Sequence, residues 1–240
     1  MTLYVGTSGW AYKEWKPEFY PREVPQSRFL EHYSTKLNSC EINATFYRVQ
    51  PANVVARWAA IVPESFRFSA KAHRRLTYTK ELAPDALMRS YIDEFVESLL
   101  PLGPRLGVVL VQFPAFRERD DAGLKKFLDA LPPEMRCAVE FRHESWDAPE
   151  PRALVAERGH AFCISDAEGR VPDALPEGEL AYVRLRGESY AEDERARLRR
   201  LIEQEARKRD VYVFAKHKGA LAGSDSSGVG LALWLSDPPK

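Results

Sequence analysis

Histidine, cysteine and methionine are scarce in this chain of 240 residues, numbering five, three and three. Cys40, Cys137 and Cys163 are odd in number, stand inside strand-like stretches and form no Cys-x-x-Cys pair. That removes a disulfide framework, a structural zinc site and a dithiol redox centre, and leaves the expectation of buried thiols in a reducing compartment. By parity Cys40 and Cys137 stand opposite the inward Glu41 and Ala138, so they should face the helix layer. Of the histidines, His32 falls in a helical stretch and His160 in a turn, leaving His73, His143 and His217. A divalent metal wants several such ligands, and here Arg142, Arg184 and Lys216 would repel it unless each is paired away, so no metal and no other cofactor is expected.

Net charge is missing too: 35 basic residues balance 35 acidic ones, giving a pI near 7.0. Neutrality removes the overall attraction that accompanies nucleic-acid or anionic-membrane binding, while leaving room for a local basic patch. No long hydrophobic run is present. The longest, Leu106 to Val111, is far too short to span a bilayer, and Met1-Thr2-Leu3 opens directly on a strand with no basic start, apolar segment or cleavage site. The expectation is a cytoplasmic protein without a membrane partner.

What the chain does have is alternation. Strand-like stretches recur at Leu3–Thr7, Ser39–Asn43, Phe66–Ala70, Leu106–Val111, Cys137–Phe141, Ala161–Ile164, Ala181–Val183 and Val211–Phe214. Between them lie stretches with helical spacing: Ser27–Leu37, Ala52–Ile61, Asp85–Leu100, Ala122–Leu131, Pro151–Arg158, Glu192–Lys208 and Gly228–Leu235. With 45% apolar residues to build a core, this order predicts one α/β domain over residues 1–240, a (β/α)8 TIM barrel with a frayed tail at 236–240. The link from Ala167 to Glu179 is rich in proline and glycine, so the sixth helix should be reduced or missing.

Each strand ends in a polar or charged residue of constant parity: Ser8, Glu41 with Asn43, Lys71, Gln112, Glu140 with Arg142, Asp166, Arg184 with Arg186, and Lys216. In a barrel of this kind reactive groups come from the carboxyl ends of several strands, so these residues should meet at one mouth. Glu41 and Glu140 suggest an acid and base pair, with Asp166 and His143 as further catalytic candidates. Arg142, Arg184, Arg186, Lys71 and Lys216 suit a phosphate or carboxylate. Lys71 could instead act as an imine-forming amine, although nothing in the sequence marks a depressed pKa. A purely structural ion network is the competing reading of the ring. The long loop Gly9 to Pro25 carries Trp10, Tyr12, Trp15, Phe19 and Tyr20, and packing on the rim is the preferred role for Trp15, Phe19 and Tyr20. Trp10, Phe46, Tyr47 and Trp146 could stack on a sugar or base.

Six ordered strings, Gly6-Thr-Ser-Gly-Trp10, Glu41-Ile-Asn-Ala-Thr-Phe-Tyr-Arg48, Phe66-Arg-Phe-Ser-Ala-Lys71, Leu106 to Pro114, Glu140-Phe-Arg-His-Glu-Ser-Trp146 and Tyr182-Val-Arg-Leu-Arg-Gly187, resemble the YecE-like family, domain-of-unknown-function family 72. The resemblance implies a TIM barrel of unassigned activity. It points to Trp10, Glu41, Asn43, Thr45, Tyr47, Lys71, Gln112, Glu140, Arg142, Trp146 and Arg184 as shared rim positions. Tyr78 and Arg186 stand where that pattern has histidines, so any ligand or base role of those histidines is lacking here, and the Ala215-Lys216-His217 run makes this mouth more basic.

The leading expectation is a metal-independent enzyme acting on a small anionic, phosphorylated or sugar-like substrate, with Glu41 and Glu140 moving protons. The rival is a nucleic-acid binding or phosphodiester-processing protein that uses Lys71, Arg74, Arg75, Arg186, Lys216 and Lys218 beside Trp10 and Tyr47. A non-catalytic sensor of the same anion is a third reading.

Overall fold

Eight parallel strands close on themselves: β1 (Leu3–Ser8), β2 (Ser39–Ile42), β3 (Arg67–Lys71), β4 (Leu106–Gln112), β5 (Cys137–Glu140), β6 (Ala161–Ser165), β7 (Leu180–Leu185) and β8 (Asp210–Ala215). Each pairs with the next, and β8 pairs with β1 in the register Leu3 to Val211 through Thr7 to Ala215. The structure is a computed structural model that describes residues 1–166, 171–217, 222–226 and 228–237.

Around the barrel run α1 (Phe29–Ser34), α2 (Ala44–Tyr47), α3 (Ala52–Ile61), α4 (Arg74–Thr77), α5 (Ala86–Leu99), α6 (Asp121–Asp129), α7 (Pro149–Ala156), α8 (Glu192–Ala206) and α9 (Gly228–Ser236). Local chemistry sets their ends. The Asp85 carboxylate accepts from the Met88 N–H at 2.7 Å and starts α5, while Asp120 accepts from Gly123 N–H at 2.8 Å and starts α6, leaving Asp121 in the first turn. The α7 helix begins two residues before the predicted Pro151, because Pro149 fits the first turn, where its missing N–H has no role. After α7, Gly159 adopts φ 69°, the left-handed turn that ends it. Among the described residues no helix stands between β6 and β7, in keeping with the expected loss; residues 167–170 of that link lie outside them. At the carboxyl end, Ser236, expected in the tail, closes α9, and Asp237 N–H donates to Leu233 O. No described helix is long and apolar enough to cross a membrane.

Strand alternation divides the core in two. Outward residues such as Val5, Ile42, Phe68, Val111, Val139 and Val183 pack under helix residues such as Phe29, Ile92, Leu124 and Leu198. Cys40 and Cys137 belong to this outer layer, as parity requires, while Cys163 points inward; all three are free thiols. Trp15 and Tyr20 in the loop after β1 are fully buried, with Tyr20 stacked on Phe29 at 3.8 Å, so this loop packs onto the rim. Removing each such ring from water is worth about 2–3 kcal/mol.

Inside the barrel, Tyr4 stacks on Tyr212 at 4.6 Å and Tyr182 leans on Phe214 at 5.2 Å, with Val108, Leu110 and Ala138 opposite. Gly107 makes room for this filling: a Cβ there would lie 2.8 Å from the Tyr212 hydroxyl, and the β3–β4 register shifts beside it, between Phe68 and Ser69. The aromatic plug forms the floor on which the polar strand ends stand.

Candidate functional site

Above the plug the inward side chains turn from aromatic to charged. Glu41, wholly buried near the end of β2, accepts from Ser8 Oγ at 2.7 Å, Tyr182 OH at 2.9 Å, Arg184 Nε at 2.9 Å and Arg184 Nη2 at 2.7 Å, with Arg186 Nη2 at 3.5 Å. Four close donors use the four lone-pair positions of a carboxylate. The Tyr182 proton is committed to Glu41, so the 2.6 Å contact with Ser69 Oγ has serine as donor. Arg184 completes a triad by donating Nη1 to Glu140 Oε2 at 2.5 Å. At 2%, 0% and 2% exposure, Arg184, Glu41 and Glu140 are shielded from water, so the cation survives burial only through its two carboxylates.

The pKa directions follow. Burial would lower Arg184, but Glu41 and Glu140 override it and push the guanidinium further up, fixing its charge. Burial raises Glu140, yet the Arg184 charge, the Gln112 amide and Arg142 outweigh it and hold the carboxyl below its usual value. Burial first, then Glu41, lifts the Tyr182 hydroxyl well above its usual range. Arg184 therefore stays a cation at neutral pH with Glu140 ionised against it.

A cleft of about 630 Å³ opens over this triad. Lys71, Arg142, Arg184, Arg186 and Lys216 reach it, together with Ser8, Asn43, Tyr47 and Gln112, whereas no carboxylate among the described residues lines it. Glu41 and Glu140 lie behind Arg184. Arg186 is 8% exposed and donates to Ser8 Oγ at 3.2 Å, and Arg142 holds Glu140 Oε1 at a loose 3.3 Å. Lys71 donates Nζ to Gln112 Oε1 at 2.8 Å and lies 4.1 Å from the Phe46 ring centroid. Burial first, then the charge of Arg184, lowers this ammonium from 10.5 to about 8, the depression that no sequence signal disclosed.

Other expected site residues serve elsewhere. Asp166 accepts from the Arg186 backbone N–H and from Tyr190 OH, so it fastens the end of β7. His143 caps the short 3-10 turn Glu144–Trp146 by accepting from Ser145 N–H at 3.2 Å and faces a neighbouring hollow, the backbone-bonded alternative to catalysis. Trp146 is buried, stacked 4.1 Å from Phe141 with its indole N–H on Arg117 O at 2.7 Å. Thr45 is buried with its hydroxyl on Ile42 O and Lys71 O, tying β2 to β3. Trp10 packs edge-on against Trp58 at 5.4 Å. Arg75 lies over Tyr91 at 4.8 Å, away from the cleft, and Lys218 is outside the described residues.

Besides Ser8, marked by its parity at the end of β1, and Phe46, a stacking candidate, the cleft is lined by Tyr12, Tyr78 and His217, which sequence reasoning did not place there. These three lie in loops or turns where no period applies: Tyr12 OH donates to Ser8 O at 2.6 Å, and His217 Nδ1 accepts from Trp15 Nε1 at 3.0 Å.

The family model for "Protein of unknown function DUF72" matches residues 4–227. YunF of Bacillus subtilis is 27% identical over 186 residues, covering 72% of this chain and 65% of its own length, a little under two thirds. YecE of Escherichia coli K12 is 30% identical over 195 residues, covering 71% of this chain and 67% of its own. Among solved structures, a DUF72 family protein of Thermotoga maritima superposes with a TM-score of 0.77 at 23% identity, over 98% of each chain. More distantly, a D-psicose 3-epimerase crystallised in the presence of D-fructose superposes with a TM-score of 0.53 at 10% identity, over 98% of this chain and 90% of its own. At such identities the two structures speak for the fold, whereas the model's match across nearly the whole chain settles kinship: this chain is a member of the DUF72 family.

Proposed function

We propose that the chain is an enzyme that binds a small anionic, phosphorylated or sugar-like substrate at the barrel mouth and acts on it without a metal. One observation carries the reading: five cationic side chains and no carboxylate among the described residues line the cleft of a protein whose charges cancel over the whole chain. Cations gathered in a low-dielectric hollow concentrate the field on whatever anion enters. The donor set also argues against a divalent ion, because the two buried carboxylates are already spent on Arg184. Arg184 and Arg186, fixed from behind, set the register of the anion, and Lys71, Arg142 and Lys216 close on it. Of the two carboxylates behind Arg184, Glu140, with one oxygen held only loosely, is the one left for proton transfer, and Glu41 serves as the anchor. The resemblance to an epimerase barrel crystallised in the presence of a hexose is compatible with a substrate of that size.

The test is a low-salt thermal-shift series with inorganic phosphate, sugar phosphates and small dicarboxylates on the parent and on Arg142→Ala. At about 100 times its dissociation constant a ligand adds roughly 2.7 kcal/mol, a plain shift of the midpoint. A shift with one anion class, reduced in the variant, supports the reading. Equal shifts in both proteins, or none with any anion, would refute it.

A second reading has its own support. Tyr47 is 71%, Tyr78 49% and Phe116 63% exposed, and they join edge to face through Phe46 in steps of 5.0, 5.6 and 5.6 Å from the cleft outward. Such rings beside cations suit stacked bases of a single strand, with cytosolic-salt sensitivity set by counterion release. Oligonucleotide binding that fades steeply with salt and is lost in Tyr78→Ala would establish it.

A further inference from the structure

Lys71 differs from the arginines of the mouth, and from the exposed Lys216 in being partly buried. Arg184 and Arg186 are paired with Glu41, and Arg142 with Glu140, whereas Lys71, at the carboxyl end of β3, forms no ion pair among the described residues. Among the described residues its ammonium donates one hydrogen bond, to the neutral oxygen of Gln112, and the ring of Phe46 lies on its flank. The groups acting on it are Arg184 and Arg142, which repel its charge, and Glu41 and Glu140, which favour it from behind the guanidinium. Its nitrogen nonetheless faces the open cleft.

A lysine used only to hold an anion is best left fully charged and well paired. One placed among arginines, on a neutral acceptor, is suited to giving up its proton and attacking an electrophile. We propose that Lys71 is the nucleophile of the cleft and forms an imine with the carbonyl carbon of a small aldehyde or ketone whose phosphate or carboxylate is held by Arg184, Arg186 and Arg142. This rests on the anion reading above and names the substrate's reactive group. The neutral amine adds to the carbonyl carbon, forming the C–N bond. One amine proton passes to the oxygen to give the carbinolamine, whose hydroxyl takes up a second proton from solvent and leaves as water as the C–O bond breaks, while nitrogen keeps its last proton in the protonated imine, so no oxidant, reductant or co-reactant is needed. A protonated imine makes the adjacent carbon acidic, so a base at the mouth could take a proton from it.

The titration supports the geometry. At pH 7.5 an amine titrating at about 8 is roughly one-quarter neutral, against roughly one part in a thousand at the usual 10.5. Lys71 should therefore outpace the surface lysines by about two orders of magnitude in the population of reactive amine.

The experiment uses the full chain with pyruvate and dihydroxyacetone phosphate as probes, each with and without cyanoborohydride, read by intact mass and peptide mapping beside Lys71→Arg and Lys71→Met. Melting curves confirm that both variants fold, and midpoint shifts with the same probes and inorganic phosphate report binding separately. The expected result is a single reduced adduct on the peptide containing Lys71, formed with one probe and absent from both variants, while Lys71→Arg keeps its phosphate shift. Binding without a Lys71 adduct would overturn the imine and leave the anion site standing. Absence of both binding and adduct would overturn both proposals. Adducts spread over surface lysines, undiminished in Lys71→Arg, would also refute the nucleophile.

Discussion

The two sides of the barrel mouth are built from the same residue types to opposite effect. On the β2–β7 side, Glu41, Tyr182 and Arg184 are buried and held by close partners, while Arg186, buried beside them, reaches Glu41 at 3.5 Å and leaves its Nε without a partner among the described residues. Elsewhere at the mouth, Lys71 has a neutral partner, Arg142 has one loose contact at 3.3 Å and Lys216, just past β8, lies exposed with no ion pair among the described residues. The comparison separates two jobs that charge alone does not distinguish. Fully paired ions fix geometry because moving them would strand a charge in the interior, and under-paired ions retain donors for a ligand.

Breaking the locked side should cost most. Arg184→Met leaves Glu41 and Glu140 buried without their cation, and urea denaturation should show a loss of about 3–5 kcal/mol, or no folded protein at all. The double change Glu41→Gln, Arg184→Met should recover part of that loss, which separates a stranded charge from lost packing. Glu140→Gln is the next step down, about 1–3 kcal/mol at neutral pH, because Arg184 keeps Glu41. It should also flatten the acid limb. A carboxyl held below its usual 4.5 stabilises fully above that value, and the stability is lost as pH falls through the lower folded value. Acid titration of the two proteins by circular dichroism checks this.

On the loose side the sign reverses. Lys71 has a folded value of about 8 against the usual 10.5, so its charged form is penalised in the fold below about 8 and relieved as pH rises to 10.5. Lys71→Met should be more stable than the parent at pH 7, by on the order of 1 kcal/mol after allowance for its partial exposure, and the gap should close in alkali while phosphate binding weakens. The smallest effect belongs to Lys216→Ala: no measurable change in melting temperature, with a weaker response of the midpoint to added phosphate. A large loss of stability there would erase the distinction between the two sides.

The division was only half legible beforehand. Parity identified Glu41, Lys71, Glu140, Arg184 and Arg186 as inward residues at strand ends, because a period of two is fixed by the pleat. It carries no information on which of them bond. Arg184 joins carboxylates 143 and 44 residues away, and the loose state of Lys71 depends on Gln112, 41 residues on. Asp166, Thr45 and Trp146 were read as ligand-facing because their partners, the Arg186 N–H, Lys71 O and Arg117 O, are backbone groups that leave no trace in residue identity. The packing of Trp15, Phe19 and Tyr20 on the rim was legible, since aromatic clusters of that density have little alternative to mutual burial.

The floor of stacked tyrosines, admitted by the missing side chain at Gly107, also sets how traffic must run. A vessel stoppered at one end has a single opening, so whatever enters over Arg184 must leave the same way. Arrival and departure then exclude one another: for the enzyme proposed above, product still seated in the mouth would compete directly with the next substrate, and a larger anion that plugs the rim would stop both at once.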